Sequence, residues 1–203
     1  MFGLQTKNAL YPYTGSRVVT FTIPQGCTSF SKDKLFLSST LLPKLVVIGL
    51  VFTAAFAGTI KYRAIHFRNH NVTGVNLLRN GQSLPYRTGG YKCDFEAELY
   101  NEAYLRSFVQ NMNWLNTNNS NGMNPNSFAN ECTLFTFNLT PTFDLNQRQT
   151  PAASAAAAAA GDSNLRLDLT FKKALKQPVN VIAYACYDTT LEITKRGEII
   201  RGD

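Results

Sequence analysis

Two histidines and a short run of glutamates are the side chains best suited to chemistry in this chain. His66 and His70 lie four residues apart, but no acidic or cysteine partner is close to them in sequence. A zinc site needs three or four ligands, so this pair alone does not predict a metal centre. Glu96, Glu98 and Glu102 fall within a predicted helix, where Glu98 and Glu102 share a solvated face. We therefore do not expect a glycosidase pair of carboxylates.

Motifs for nucleophilic, phosphate or redox chemistry are also missing from the sequence. It has no G-x-S-x-G elbow, no cysteine–histidine signature and no glycine loop that would cradle a phosphate. The four cysteines are far apart and form no C-x-x-C pair, which indicates free thiols, with Cys186 expected in the core. The sequence thus predicts a protein that is not an enzyme and that has no catalytic, metal or cofactor site.

The composition indicates a folded, strand-rich domain. Hydrophobic residues make up 44% of the 203 residues and charged residues 16%, with 14 Phe and 9 Tyr, which suit a pleated surface. The formal net charge of +7 comes from dispersed basic residues, so weak and non-specific contact with nucleic acid is the most that it supports. The first residues show no secretory signal. The apolar run at 45–60 is shorter than the roughly 20 residues of a membrane span and predicts a buried strand instead.

Alternating apolar and polar residues predict most of the secondary structure as strands. Leu45–Val51 is apolar on both faces, as a central strand would be, and Asn80-Gly81 between two apolar runs predicts a tight hairpin. The last strand is expected to be long. The segments that alternate are Arg17–Ile23, Thr133–Leu139, Leu165–Phe171 and Val179–Ile193.

One amphipathic helix is predicted, over Asp94–Met112. Its apolar stripe contains Tyr100, Tyr104 and Phe108, widened by Leu105, Val109 and Met112, and Asp94 is the expected N-cap. An asparagine-rich stretch at 113–126 and an alanine-rich stretch at 151–161 are expected to be exposed loops. Together these elements predict one all-β, antiparallel sandwich or barrel with a helix in one connection. Its bounds are a lead-in at 1–16 and a domain at 17–203, with loop insertions at 113–131 and 146–163.

The order of these features resembles the C-terminal half of the double jelly-roll major capsid proteins of Polinton/Maverick elements and adintoviruses, which are hexon-like. Leu42–Val51 followed by Ala55–Gly58 is similar to one family segment, and Val75–Pro85 to its hairpin. The resemblance covers about residues 17 to 200 and includes no N-terminal roll. The remaining similar stretches are Thr133–Pro141, Leu165–Phe171, Val179–Tyr184 and Leu191–Ile193.

The resemblance implies a jelly-roll sandwich that serves as a structural protein of the virion. The expected partners are copies of the chain in a trimeric capsomer, neighbouring capsid proteins and, weakly, packaged nucleic acid; no membrane span or cofactor is expected. A self-contained single jelly-roll coat or penton-like protein remains an alternative, as does a carbohydrate-binding β-sandwich module. We expect Phe137, Phe171 and Leu191 in the core, and Tyr100, Tyr104 and Phe108 where the helix docks on the sheets.

Overall fold

Two antiparallel sheets account for most of the chain in its computed structural model, which describes residues 8–36, 42–60, 63, 66–84, 90–110, 123–140, 145 and 164–202. The strands are β1 (Ala9–Ile23), β2 (Ser29–Lys32), β3 (Leu45–Phe52), β4 (Val72–Arg79), β5 (Gln82–Leu84), β6 (Tyr91–Lys92), β7 (Leu134–Asn138), β8 (Leu165–Phe171), β9 (Val179–Ile193) and β10 (Ile199–Gly202). The helices are α1 (Thr53–Phe56), α2 (Asn101–Gln110) and α3 (Pro125–Asn130).

The strand pairing is that of a two-stranded ribbon wrapped into a sandwich. Sheet A has the order β1-β9-β3-β7, with β10 pairing with β9, and sheet B has the order β2-β8-β4-β5, with β6 pairing with β4. The first long strand pairs with β9, the next with β8 and the third with β7, so the chain folds back on itself while alternating between the sheets. This is the jelly-roll arrangement. The all-β jelly-roll prediction is therefore confirmed.

Alternation places the core between the sheets, as the sequence pattern requires. Along β8 the odd-numbered residues from Leu165 to Phe171 are buried, while Arg166 and Thr170 are exposed. In β3, Val46, Ile48 and Leu50 are fully buried in this core. The opposite face of β3 is covered as well, because a Cβ at Gly49 would lie 2.5 Å from the ring of Phe67. The prediction of a strand buried on both faces is confirmed.

The predicted Asn-Gly hairpin joins β4 to β5. Asn80 and Gly81 both have positive φ, at 50° and 82°, as a two-residue turn of this hand requires. The turn pairs Arg79 with Gln82 and fixes the register of the next two pairs. No helix among the described residues is long and apolar enough to cross a membrane.

Several predicted boundaries were wrong. Residues 9–16 are not a lead-in but the first half of β1, which pairs with β9 along its whole length. The helix begins at Asn101 and not at Asp94, whose carboxylate instead accepts hydrogen bonds from the backbone N–H groups of Glu96 and Ala97 in the preceding turn. Leu105 and Val109 are exposed and do not widen the buried stripe.

The asparagine-rich segment is also more ordered than a loop at its C-terminal end. Asn124 caps α3 in a capping box with Ser127, and Pro125 stands at the first helical position. The remainder of this segment, Met112 and the alanine-rich stretch lie outside the described residues. Of the cysteines, all four are free; Cys93 is the buried one, whereas Cys186 is half-buried with its Sγ 3.1 Å from the Tyr184 hydroxyl.

Candidate functional site

The two histidines lie in one polar cleft beside the end of β3. Arg68 Nε donates to His66 Nδ1 at 3.4 Å, so His66 presents an Nε2–H, which donates to the carbonyl oxygen of Asn130 at 3.1 Å. His66 is therefore held as a neutral tautomer between two neighbours. The cleft, of about 530 Å³, is lined by Phe52, His66, Arg68, Asn69, His70, Asn71, Asn130 and Glu131.

His70 is a neutral side chain in the same cleft. Its ring packs edge-on against Phe52, with 4.6 Å between ring centroids. Burial, aided by the charge of Arg68, lowers the pKa of His70 to about 4. Among the described residues its Nε2 has no hydrogen-bond partner, and no group of three His, Cys, Asp or Glu side chains is placed to hold a metal. Within this part of the chain the cleft supports a turn before β4 and assembles no acid–base or metal centre.

The glutamates singled out in the sequence are spread over two elements and form ion pairs. Glu102 pairs with Arg106 at 2.5 Å within α2, whereas Glu98 lies in the preceding turn with a φ of 57°. The predicted shared helical face of these two residues was therefore wrong. Glu96 pairs with the ammonium groups of Lys172 and Lys173, which lower the pKa of its carboxyl. These carboxylates fasten the turn before α2 to the end of β8.

A second concavity lies on the outer face of sheet B. Gly74 widens it, since a Cβ at that position would lie 2.6 Å from Thr170 Oγ1. Exposed aromatic rings are the expected mark of a carbohydrate-binding sheet face. The single aromatic residue in the lining, Tyr91, is 2% exposed and packs in the core. The lining of this groove, of about 580 Å³, is Thr73, Gly74, Val75, Asn76, Tyr91, Lys92, Cys93, Asp94, Leu99, Asp168 and Thr170.

The predicted core residues occupy different environments. Phe137 and Phe171 lie in the core, at 0% and 6% exposure. Leu191, by contrast, is half-buried in the last third of β9, outside the core cluster. The expectation that Leu191 is a core residue was wrong, because sheet B does not extend over this end of β9.

The three aromatic residues predicted to dock the helix lie around Phe128 of α3. Tyr100 and Tyr104 are partly buried against the core, with ring centroids 6.4 Å and 5.8 Å from that of Phe128. Phe108 packs edge-on against Tyr104 at 4.8 Å and is half-buried. The sequence analysis did not identify Phe128, which is fully buried, because it lies next to the asparagine-rich segment that was assigned to a loop.

Side chains from two other elements close the open edge of sheet A at β7. The outward-facing N–H of Asn138 donates to Gln110 Oε1 at 2.7 Å, and the Asn138 amide donates to the Gln110 carbonyl oxygen at 3.1 Å. The Tyr91 hydroxyl donates to the Thr136 carbonyl oxygen. This hydrogen bond is buried. Edge groups that are paired in this way cannot accept another strand.

The opposite end of sheet A is exposed and apolar. Beyond the part covered by sheet B, the first residues of β1, the last of β9 and β10 form a three-stranded ribbon. Tyr11, Tyr13 and Ile199 lie on the face of this ribbon that continues the core-facing side, and Leu10 and Ile200 lie on the other. Their exposed fractions run from 41% for Tyr13 to 65% for Ile199. Exposed apolar residues on both faces are typical of a surface that another molecule covers.

Comparison with known proteins gives a relative of low identity and shared folds. No family model matches the chain. The uncharacterized protein F54H12.2 of Caenorhabditis elegans is 28% identical over 139 residues, which is 68% of this chain but 32% of that protein. This chain therefore spans about a third of the length of the curated relative that it matches.

Among solved structures, the quasi-atomic model of the PBCV-1 virus capsid matches with a TM-score of 0.50 and 12% identity, over 97% of this chain and 52% of that one. The crystal structure of the mavirus major capsid protein matches with a TM-score of 0.43 and 10% identity, over 97% of this chain and 41% of that one. At such low identity the PBCV-1 match shows a shared fold. The chain is thus a jelly roll, in agreement with the strand order of its two sheets.

Proposed function

We propose that this chain is a structural subunit of a virus shell, namely the C-terminal jelly roll of a double jelly-roll major capsid protein of the Polinton/Maverick and adintovirus type. The observation that carries the proposal is the complete wrapped strand order, which matches a virus capsid chain over 97% of this chain's length. The match spans only 52% of that capsid chain, as expected if the larger chain holds two units of this size.

The arrangement of the described residues suits a shell subunit. Two antiparallel sheets packed over a continuous core make a rigid wall. The β7 edge of sheet A is closed by Gln110 and Tyr91, while the ribbon at the other end exposes apolar side chains to a partner. The clefts of the described residues contain ion pairs and satisfied polar groups and no nucleophile–base pair, which is compatible with a role that needs no catalysis.

The proposed subunit trimerises into capsomers, which assemble with neighbouring capsid proteins in the virion. A protein with this role is made in the host cell without a secretory signal. The first test is the mass of the native polypeptide in source material, measured by intact mass spectrometry. A product of about twice 22.5 kDa supports the two-roll protein. A product of 22.5 kDa overturns it in favour of a single-roll coat or penton-like protein.

The second test is the oligomeric state of the native polypeptide. Native mass spectrometry at micromolar concentration should show a trimer, and electron microscopy should show pseudo-hexagonal capsomers. A species that stays monomeric at these concentrations and binds glycans on an array would contradict the shell role and favour the carbohydrate-binding module.

A further inference from the structure

The free edge of β1 is the largest unpaired feature among the described residues. β1 pairs with β9 on one side over 15 residues, and no described strand lies on its other side. The side that each residue presents follows from β9, because the Cys186 carbonyl oxygen accepts the Lys44 N–H beside β3. Even-numbered residues of β9 therefore face β3, and its odd-numbered residues face β1.

The open edge of β1 thus carries the backbone groups of its even-numbered residues. These include Leu10, Pro12, Thr14, Ser16 and Val18, which are all exposed. Pro12, which has no N–H, falls on this open side, where a proline does not disrupt pairing with β9. Unlike the edge at β7, this edge has no side chain among the described hydrogen bonds that donates to or accepts from its backbone.

The side chains along this edge are arranged nearly symmetrically around Thr14. Leu10 and Val18 stand four residues to either side and are 63% and 56% exposed on the outer face. Tyr13 and Gly15 flank the centre on the other face. β1 has a single charged residue, Arg17, so its edge carries little of the charge that keeps natural edge strands apart.

We propose that two copies of this chain pair through their β1 edges, antiparallel, across a two-fold axis at Thr14. In this register Leu10 lies opposite Val18 of the second copy, so exposed apolar side chains cover each other. Tyr13 lies across from Gly15 of the second copy, where an aromatic ring can cover a glycine. Arg17 lies across from a tyrosine, Tyr11, and not from a second arginine.

The same register covers the exposed ribbon. In an antiparallel pair, the tip of one β1 runs beside the middle of the other, which belongs to the covered part of the sandwich. There Phe21 stacks on Phe30 of β2 with 5.5 Å between ring centroids, which shows that sheet B reaches that part of β1. The exposed Tyr11 and Tyr13 of each copy therefore lie against the body of the other. This contact is isologous, and it joins two sandwiches into one continuous sheet.

This inference deepens the proposed shell function, on which it rests, because a shell needs contacts between capsomers as well as within them. It is tested by cysteine substitution at the axis. Thr14→Cys places one thiol opposite its own copy in a hydrogen-bonded pair, where Cα atoms lie about 5.5 Å apart, within disulfide range. Mild oxidation of the full chain should give a covalent dimer of twice 22.5 kDa on a non-reducing gel.

The matched control is Thr20→Cys, which is exposed on the same edge and face of β1. In the proposed register Thr20 faces position 8 of the second copy and not itself, so this variant should remain unlinked. The parent chain, oxidised in parallel, accounts for its own four thiols. Equal cross-linking of both variants, or none at Thr14→Cys, overturns the register.

A second variant needs no disulfide. Val18→Lys adds a charge that must lie beside Leu10 of the second copy, so the dimer dissociation constant in sedimentation velocity should rise by at least about tenfold. Thr20→Lys is its control, and circular dichroism checks that both fold. Unchanged association of Val18→Lys counts against the contact. A parent chain that assembles while Thr14→Cys stays unlinked overturns this contact and leaves the shell role in place, whereas a Thr14-linked dimer that forms nothing larger supports the contact and counts against the shell role.

Discussion

His70 makes the stability of this protein depend on mildly acidic pH. Its pKa is 6.5 in the unfolded chain and about 4 in the folded one, because burial penalises the charged ring. Between these values the unfolded chain takes up a proton that the folded chain does not, so the free energy of unfolding falls as pH drops from 6.5 towards 4. The loss amounts to about 2–3 kcal/mol.

The variant that tests this is His70→Asn, since Asn tolerates the positive φ of 47° at this position. Chemical denaturation at pH 7.5 and pH 4.5 should show a smaller drop in unfolding free energy for His70→Asn than for the parent. His66→Asn is the control and should keep most of the drop. An unchanged pH dependence in His70→Asn would show that other groups cause it.

The core residues differ in how much each stabilises the sandwich. Phe137 is fully buried and packs edge-on against Tyr91 with 5.1 Å between ring centroids. Phe137→Ala should therefore lower the free energy of unfolding by about 3–5 kcal/mol, and Phe171→Ala by a similar amount. Leu191→Ala, at a half-buried position, should cost less than about 1.5 kcal/mol. Urea denaturation of the three variants measures this ranking, and an equal cost at Leu191 would contradict it.

At the scale of elements, α2 and β7 depend on one another through Gln110. This side chain is 6% exposed and accepts the N–H of Asn138 at the edge of sheet A. Gln110→Ala leaves that N–H without its acceptor, so we expect a loss of about 1–3 kcal/mol in unfolding free energy and faster hydrogen exchange at Asn138. Glu102→Ala, on the exposed side of the same helix, should change stability by less than about 0.5 kcal/mol. Slow exchange at Asn138 in Gln110→Ala would show that the contact does not protect this edge.

The elements that the sequence predicted well are those that local physics determines. Alternation over Leu165–Phe171 has one solution when one face is buried, and Asn80-Gly81 supplies the positive φ values that a tight hairpin needs. The start of β1 was missed because Pro12 and Gly15 interrupt its pattern, and both are tolerated only because the residues lie on an edge strand.

The helical region was harder to predict because capping and tertiary contacts decide it. Asp94 has the features of an N-cap, yet it caps a turn, because Lys172 of the neighbouring segment also claims its carboxylate at 2.7 Å. The start of α3 did have a local signal in Asn124-Pro125 followed by Ser127, which was hidden in a run of asparagines. The exposed ribbon had no such signal, since its residues are apolar in alternation like those of any covered strand. Only the extent of sheet B shows that they are exposed.

On the scale of the whole molecule, the wrapped topology places its free surfaces at opposite ends of sheet A. β7 is closed by α2 and by the Tyr91 hydroxyl, whereas β1 and the ribbon with β10 remain open. A chain with one closed and one open edge can add a neighbour at one end without growing indefinitely at the other. This asymmetry agrees with a subunit that makes a limited set of contacts within a closed shell.

The net charge of +7 leads to a prediction for nucleic acid, in line with the proposed virion role. We expect weak binding to duplex DNA that is equal for two unrelated sequences and falls steeply between about 50 and 200 mM salt, since only phosphates are contacted. Fluorescence anisotropy measures both properties. A preference for one sequence beyond about tenfold, or binding that does not respond to salt, would contradict purely electrostatic contact.

The position of the free positive charge sharpens this prediction. Lys172 and Lys173 are paired with Asp94 and Glu96, whereas Lys195 and Arg196 are exposed in the turn between β9 and β10. Replacing Lys195 and Arg196 together by Gln should therefore weaken DNA binding and flatten its salt dependence more than replacing Lys172 and Lys173 together by Gln. Each double variant removes two positive charges, so net charge alone predicts equal effects. A larger loss from the Lys172 and Lys173 pair would place the contact near the turn before α2 and away from the exposed ribbon.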